Sequence, residues 1–166
     1  LELKGKYKLT QIMGAVAETI NQYYEFQSAP KEGEVVKEIE PHQYFTLNAT
    51  VKNDDLIRKF VLDLQSFETI TIDGAFDADQ RKLEINGESP QVTYGANVIE
   101  RGKLTVANTD NALNFDLYIG DVRSESFELR KIGIAGSVSE NVISYDVTTK
   151  DEEDKTQYQI AGTVKS

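Results

Sequence analysis

The sequence predicts a mainly β fold: antiparallel strands forming a sheet with one apolar, concave face, accompanied by two short helices. Two observations carry this expectation. First, an apolar residue, a spacer, a second apolar residue, a spacer and a glycine recur as Ile70-Thr71-Ile72-Asp73-Gly74, Leu83-Glu84-Ile85-Asn86-Gly87, Ile132-Gly133-Ile134-Ala135-Gly136 and Tyr158-Gln159-Ile160-Ala161-Gly162. Strand side chains alternate with period two, so the apolar pair of each unit shares a face with its glycine, which leaves a gap where the strand can bend. Second, from Phe67 onward alternating runs are separated by turn-rich stretches such as Asp77-Ala78-Asp79-Gln80, Asn108-Thr109-Asp110-Asn111 and Lys150-Asp151-Glu152-Glu153-Asp154. Consecutive hairpins read this way.

Taken in order, Leu1, Leu3, Tyr7 and Leu9 alternate with Glu2, Lys4, Lys6 and Lys8 in a half-buried strand ending at Thr10. Thr10 is the expected N-cap of an amphipathic helix of about four turns, in which Ile12, Val16, Ile20 and Tyr24 recur every fourth residue. Residues 27–43, with Pro30, Gly33 and Pro41, many charges and little periodicity, read as an exposed loop or disordered insert. Phe45, Leu47, Ala49 and Val51 then alternate in a clean strand. Asn53-Asp54 caps a short second helix whose apolar face is Leu56, Ile57, Phe60, Val61 and Leu64. Strands follow at about 67–78, 81–88, 91–108 with one break, 111–121, 125–138, 141–149 and 156–164. Near 111–121 the set Leu113, Phe115, Leu117, Ile119 opposes Ala112, Asn114, Asp116, Tyr118, giving one dry and one wet face. Apolar parity switches at Arg130-Lys131, between Phe127/Leu129 and Ile132/Ile134, which requires a β-bulge or a crossing between two sheets.

A chain of 166 residues suits one domain with a core of its own. Its net charge of −10 argues against nucleic acid, which needs an excess of Lys and Arg on some surface. Without cysteine there is no disulfide or thiolate metal site. The opening Leu1-Glu2-Leu3-Lys4 is neither a signal peptide nor a methionine start, so the chain reads as a piece of something longer.

Chemistry-bearing patterns are scarce, and the expectation is a protein that is not an enzyme and needs no cofactor or metal. His42 stands in the polar loop with no cysteine or carboxylate at ligand spacing. Asp77-x-Asp79 opens like an EF-hand loop with Glu88 at the twelfth position, but Arg81 and Lys82 occupy the fifth position and the obligatory glycine. Asp151 to Asp154 is more economically a solvated turn, and Asn48-Ala49-Thr50, a glycosylation tripeptide, falls inside a strand. No phosphate-binding glycine loop, nucleophile elbow or His-Glu-x-x-His is present. Tyr23, Tyr24, Tyr94 and Tyr118 are too scattered for a sugar-stacking platform and read as packing residues.

The run Thr46-Leu47-Asn48-Ala49-Thr50-Val51-Lys52-Asn53-Asp54-Asp55-Leu56, the Thr71-Ile72-Asp73-Gly74 unit, Pro90-Gln91-Val92-Thr93-Tyr94-Gly95 and the closing Tyr158-Gln159-Ile160-Ala161-Gly162-Thr163-Val164 resemble the TamB family, translocation and assembly module proteins of the AsmA-like group, in their Bacteroides-type form. The resemblance spans most of the chain, on degenerate strand repeats. It implies a long periplasmic envelope protein of a Gram-negative bacterium, anchored in the inner membrane and folded as a half-open β-trough, or β-taco. Such proteins are implicated in outer-membrane protein assembly with a partner barrel and in phospholipid movement. The chain departs from the whole-protein pattern in lacking the anchor and a recognisable barrel-binding terminus.

Two short helices cannot cover seven or more strands, so the sheet either closes as a sandwich or stays open as a groove. The residues alone favour a closed sandwich; the resemblance favours the trough. The first functional expectation is therefore a lipid groove lined by Ile70, Ile72, Leu83, Ile85, Leu104, Val106, Phe115, Leu117, Ile132, Ile134 and Ile160, whose partners are phospholipid acyl chains and an outer-membrane barrel protein. The alternative is a structural or chaperone-like module that binds outer-membrane strands by β-augmentation. An enzyme or sugar-binding sandwich comes third.

Overall fold

The computed structural model describes residues 1–24, 42–109 and 111–165. Among the described residues the fold is mainly β: one open antiparallel sheet of ten strands, not closed into a barrel, with two helices. The elements are β1 (Glu2–Lys6), α1 (Ile12–Asn21), β2 (Tyr44–Val51), α2 (Asp55–Phe60), β3 (Leu64–Phe67), β4 (Ile70–Asp77), β5 (Lys82–Tyr94), β6 (Asn97–Asn108), β7 (Leu113–Arg123), β8 (Glu128–Ser139), β9 (Val142–Lys150) and β10 (Thr156–Lys165). Strand order is β1-β2-β4-β5-β6-β7-β8-β9-β10, and β3 pairs with the far half of β5, beyond the start of β4. A closed sandwich, the arrangement that residue patterns alone favour, is not formed.

Turn chemistry explains the meander. Glu140 and Asn141 both adopt positive φ between Ser139 and Val142, the backbone a two-residue β8–β9 hairpin needs for its twist to match the strands. In the β9–β10 turn the Asp151 carboxylate accepts the backbone N–H groups of Glu153 and Lys155, both at 2.9 Å. The acidic stretch 151–154 is thus a hairpin turn, as its composition suggests.

Several element boundaries differ from the sequence reading. Helix α1 stops at Asn21 and its N-cap is Gln11, without a side-chain cap bond, rather than Thr10. The helix ends early because its last turn tightens, with Tyr23 N–H bonding to the Ile20 carbonyl, which delivers the Tyr23 side chain to the sheet. Leu1 and Leu9, expected to be half-buried, are exposed. Phe60, at the end of α2, is 80% exposed and Val61 43%, so these two residues of the expected apolar face do not pack on the sheet, and Asp63, at φ 66°, turns Leu64 out of the helix and into β3. The one break expected within 91–108 falls at Gly95, whereas the gap expected at Ser89-Pro90 is absent and β5 runs through Pro90. The missing N–H of Pro90 costs no ladder bond there, because pairing with β6 passes from Ser89↔Gly102 to Gln91↔Glu100. Of the loop at 27–43, residues 27–41 lie outside the described residues; Gln43 is buried, and its side chain accepts the Lys8 N–H at 3.1 Å.

The parity switch at Arg130-Lys131 is neither a counted bulge nor a crossing between sheets. Lys131 has φ 45°, yet Ile119↔Ile132 and Asp121↔Arg130 keep one register on both sides of it. Arg101 in β6, at φ 55°, occupies the same lateral row, as do Pro90 of β5 and Gly120 of β7. Four neighbouring strands therefore interrupt their pairing along one transverse crease, and because they change phase together no register is lost. Beyond the crease Phe67, Val92, Ile99, Val122 and Leu129 stand side by side in a new apolar row.

The core sits at one end of the sheet. Ala15 and Tyr23, from α1 and the turn that ends it, cluster with Phe45 at the start of β2, Phe76 at the end of β4, Leu83 at the start of β5, Leu113 at the start of β7 and Val138 at the end of β8. The Tyr23 hydroxyl donates to the Thr109 carbonyl and accepts from the Asn108 amide, each at 2.8 Å, and Asn141 N–H bonds to the Tyr23 carbonyl. From Gln11 to Tyr23 a helix rises only about 18 Å, whereas the strands from β2 to the β8–β9 turn, at about 4.8 Å each, span roughly 26 Å if flat. The sheet must curve for the helix to reach across it.

Candidate functional site

Register places the apolar side chains in lateral rows. One row runs Ala49, Ile72, Gly87, Leu104, Leu117, Ile134, Val147, Ile160, each residue paired with the next across adjacent strands. The next runs Leu47, Gly74, Ile85, Val106, Phe115, Gly136, Tyr145, Gly162. Flanking them are Phe76↔Leu83 on the α1 side and Val51↔Ile70 and Ile119↔Ile132 on the crease side. Every groove residue expected from sequence therefore lies on one face, because side chains two apart on a strand and directly opposite across a pair point the same way.

Availability along that face is uneven. Leu83, at 3% exposure, is enclosed in the core under α1 and is not open to a ligand, which corrects its place in the expected lining. Ile132 is also buried, while Ile85, Val106 and Phe115 pack against the margin of the α1 core. Ile70, Ile72, Leu117 and Ile134 are half-buried, and Leu104 and Ile160 are exposed. Among the described residues no side chain is less than 2% exposed, as befits a sheet with one cover at one end. Leu47, Ile119, Tyr145 and Val147 belong to the same rows although they are absent from the expected set. Their own period-two alternation is the signal that identifies them.

Two of the four unit glycines, Gly136 and Gly162, do not leave the gaps expected of them. Gly74 pairs with Ile85 and Gly87 with Ile72, but neither isoleucine fills the glycine: a Cβ at Gly74 would meet the Glu84 carbonyl and the Leu47 Cβ, and one at Gly87 only the Leu104 Cβ and the Thr71 carbonyl at 3.9 Å. The ring of Phe115 lies over Gly136, and the Tyr145 ring and hydroxyl lie over Gly162, where an added Cβ would come within 2.6 Å of the hydroxyl. Neighbouring aromatic side chains thus fill the glycine positions of β8 and β10.

The opposite face is polar and laced by cross-strand pairs. Asn48 donates to Asp73, Thr105 Oγ1 to Asn86 at 3.1 Å, Lys103 Nζ to Glu88 at 2.8 Å and Gln159 Nε2 to Asp146 at 2.7 Å. Asp116 is exposed there. Hydrogen bonding and charge from Glu88 raise the Lys103 ammonium above its usual value. Lys131 Nζ, 2.6 Å from Asp154, holds that carboxylate below the ordinary aspartate value. A depression of about 500 Å³ between Lys4, Tyr44, Thr46, Ala75, Asp77 and Lys82 draws mainly on this polar parity rather than on the apolar rows.

His42 is exposed and has a carboxylate neighbour that its sequence position conceals: Asp79, with Nδ1 and Oδ2 2.7 Å apart. Asp77 caps the Gln80 N–H at 2.9 Å, so the two carboxylates of the calcium-like opening serve a turn and a hydrogen bond with His42. Among the described residues no group of three or more His, Cys, Asp or Glu could hold a metal, and no helix is long and apolar enough to cross a membrane. No family model, no curated protein and no solved structure matches the chain.

Proposed function

We propose that this chain is a segment of a periplasmic envelope protein whose apolar β-groove shields lipid acyl chains, supporting phospholipid transport and outer-membrane protein assembly in the manner of the TamB family it resembles. The observation that carries the reading is the row from Ile72 through Gly87 to Leu104, Leu117, Ile134, Val147 and Ile160, on a face that α1 covers at one end only. Such a face is unusual on a free protein, where contiguous apolar patches beyond a few hundred Å² mark binding surfaces. Each acyl methylene taken out of water contributes about 0.8 kcal/mol, so a chain laid along the row is held without any covalent step. The polar face supplies solubility and an internal control. The parent protein, in this reading, is anchored in the inner membrane and works with an outer-membrane barrel partner.

Photo-crosslinking side chains at Ile134 and at Asp116 test the proposal in cells expressing the chain. Lipid adducts at residue 134 and none at residue 116 are expected, since the two positions lie on opposite faces of neighbouring strands. Adducts at neither position, or equally at both, would refute a lipid groove. Native mass spectrometry of the gently purified chain gives a second readout, a retained phospholipid.

A further inference from the structure

The end of the sheet opposite α1, where β5 and β7 finish and β6 and β8 start, carries a rim of apolar side chains. Phe60 and Leu62, in the link from α2 to β3, are 80% and 81% exposed, and Val61 between them is exposed as well. Tyr94 at the β5–β6 turn and Phe127 at the β7–β8 turn stand exposed at the same end. Large apolar side chains exposed singly are ordinary, but five on three successive connections at one end form a patch. Backbone bonds hold the patch outward. The Gly95 N–H bonds to the Asp63 carbonyl at 2.8 Å, and Arg58 Nη1 donates to the Gln65 carbonyl at 3.2 Å. Leu64 then pairs with Tyr94, which fastens residues 60–62 beside the β5–β6 turn. The Ser124 N–H closes the β7–β8 turn on the Phe127 carbonyl at 2.9 Å.

Shape, charge and continuity together name what this rim meets. Side chains that project from turns lose water by entering a deformable apolar medium, not by filling a preformed pocket. From Leu56 to Leu62 the only charges are Arg58 and Lys59, in a chain with 28 acidic residues. Arg58 is shared with Asp55, whereas cations set behind an apolar tip can reach lipid phosphates while their stems stay with the tip. Tyr94 and Phe127 stand at two-residue spacing from Val92 and Leu129, so they carry the apolar row beyond the crease out to the rim. We infer that the rim is a membrane-docking surface. Phe60, Val61 and Leu62 enter the interfacial layer of a phospholipid bilayer, Lys59 meets its phosphates, and the two aromatic rings lie at headgroup level. The docking is peripheral, made by side chains on turns with no spanning helix. It needs no lipid in the groove and stands apart from that reading.

The chain has no tryptophan, so one introduced indole reports alone. With vesicles of phosphatidylcholine and phosphatidylglycerol, the emission of the Leu62→Trp variant should move to shorter wavelength and be quenched by brominated acyl chains. Met13→Trp, at a position equally exposed but on α1 at the other end, should show neither effect. Phe60→Ser combined with Leu62→Ser, at positions outside the core, should weaken co-sedimentation with those vesicles about tenfold or more. The same pair should leave phospholipid retention in native mass spectrometry unchanged. A chain that docks through residue 62 yet retains no phospholipid would support this inference and refute the groove. No spectral shift at residue 62, equal shifts at 13 and 62, or co-sedimentation indifferent to the double substitution would overturn docking at the rim. A shift at residue 62 that grows with protein concentration in the absence of vesicles would also overturn it, and would assign the rim to a second copy of the chain.

Discussion

The ring of Phe115 on β7 lies directly over Gly136 on β8, filling the space that a side chain at residue 136 would occupy. A Cβ there would also strike the Ser144 carbonyl, which belongs to backbone and cannot swing aside. Gly136→Ala should accordingly destabilise the chain by about 1–3 kcal/mol, the usual cost of overpacking, read as a lower urea midpoint. Gly162→Ala should cost less, since the atoms it meets are the far end of the Tyr145 side chain near a sheet edge. Tyr145→Ala combined with Gly162→Ala should show positive coupling in a double-mutant cycle; additive losses would mean that the ring does not fill the glycine position.

Tyr23 ties α1 to the sheet through one hydroxyl, and Asn108, which donates to it, also accepts the Leu83 N–H at 2.6 Å. Tyr23→Phe should cost about 1–3 kcal/mol, because the Thr109 carbonyl and the Asn108 amide both lose a partner in a part-buried site. Hydrogen exchange of the α1 amides should accelerate more than that of β6 and β7. Uniform acceleration across the sheet would show that helix and sheet open only together.

Along the crease, Arg101 adopts a left-handed backbone while its guanidinium covers Gly120 and pairs with Asp121, whose side chain is 12% exposed. Arg101→Ala should destabilise by about 1–3 kcal/mol, an estimate held down because the guanidinium itself is 58% exposed and screened by water. Arg101→Gly loses the same charge but fits φ 55° without a Cβ penalty, and should be the milder change by roughly 1 kcal/mol. Thermal melts of the two variants separate backbone strain from charge.

The Lys131–Asp154 pair gives a pH signature. With its folded value below the ordinary 3.8, Asp154 contributes stability that is present above pH 3.8 and lost as pH falls through the folded value. Carbon-detected NMR titration should therefore place its midpoint below 3.8, and Lys131→Met should move it upward toward that value. On the basic side Lys103 behaves oppositely: its pairing with Glu88 is complete below pH 10.5 and lost as pH rises through the elevated folded value.

Carrying a charge into the apolar row offers a functional contrast. Leu104→Lys, at an exposed lining position, should abolish phospholipid retention in native mass spectrometry while leaving the fold intact; Asp116→Lys, on the polar face, should not. Equal retention by both variants would count against lipid binding on this face.

How much of this is legible in sequence depends on the range of the interaction involved. Period-two alternation places Ile70, Leu117, Ile134 and their companions on one face, because that pattern is local and the meander pairs neighbours in the chain. Leu83 shows the same alternation but lies under α1, and covering by an element some sixty residues earlier leaves no local trace. The glycines are visible, yet their filling by Phe115 and Tyr145 depends on cross-strand register. Pro90 reads as a break because a proline removes a ladder bond, and only its alignment with the left-handed Arg101 makes that loss harmless.

Helix α1 stops the groove at one end. Along β8 the stretch from Ile134 outward to Leu129 is about 17 Å, close to one leaflet's share of a hydrocarbon core about 30 Å thick. On the lipid reading proposed above, a tail laid along the rows has α1 as a wall on one flank and the creased, open face on the other.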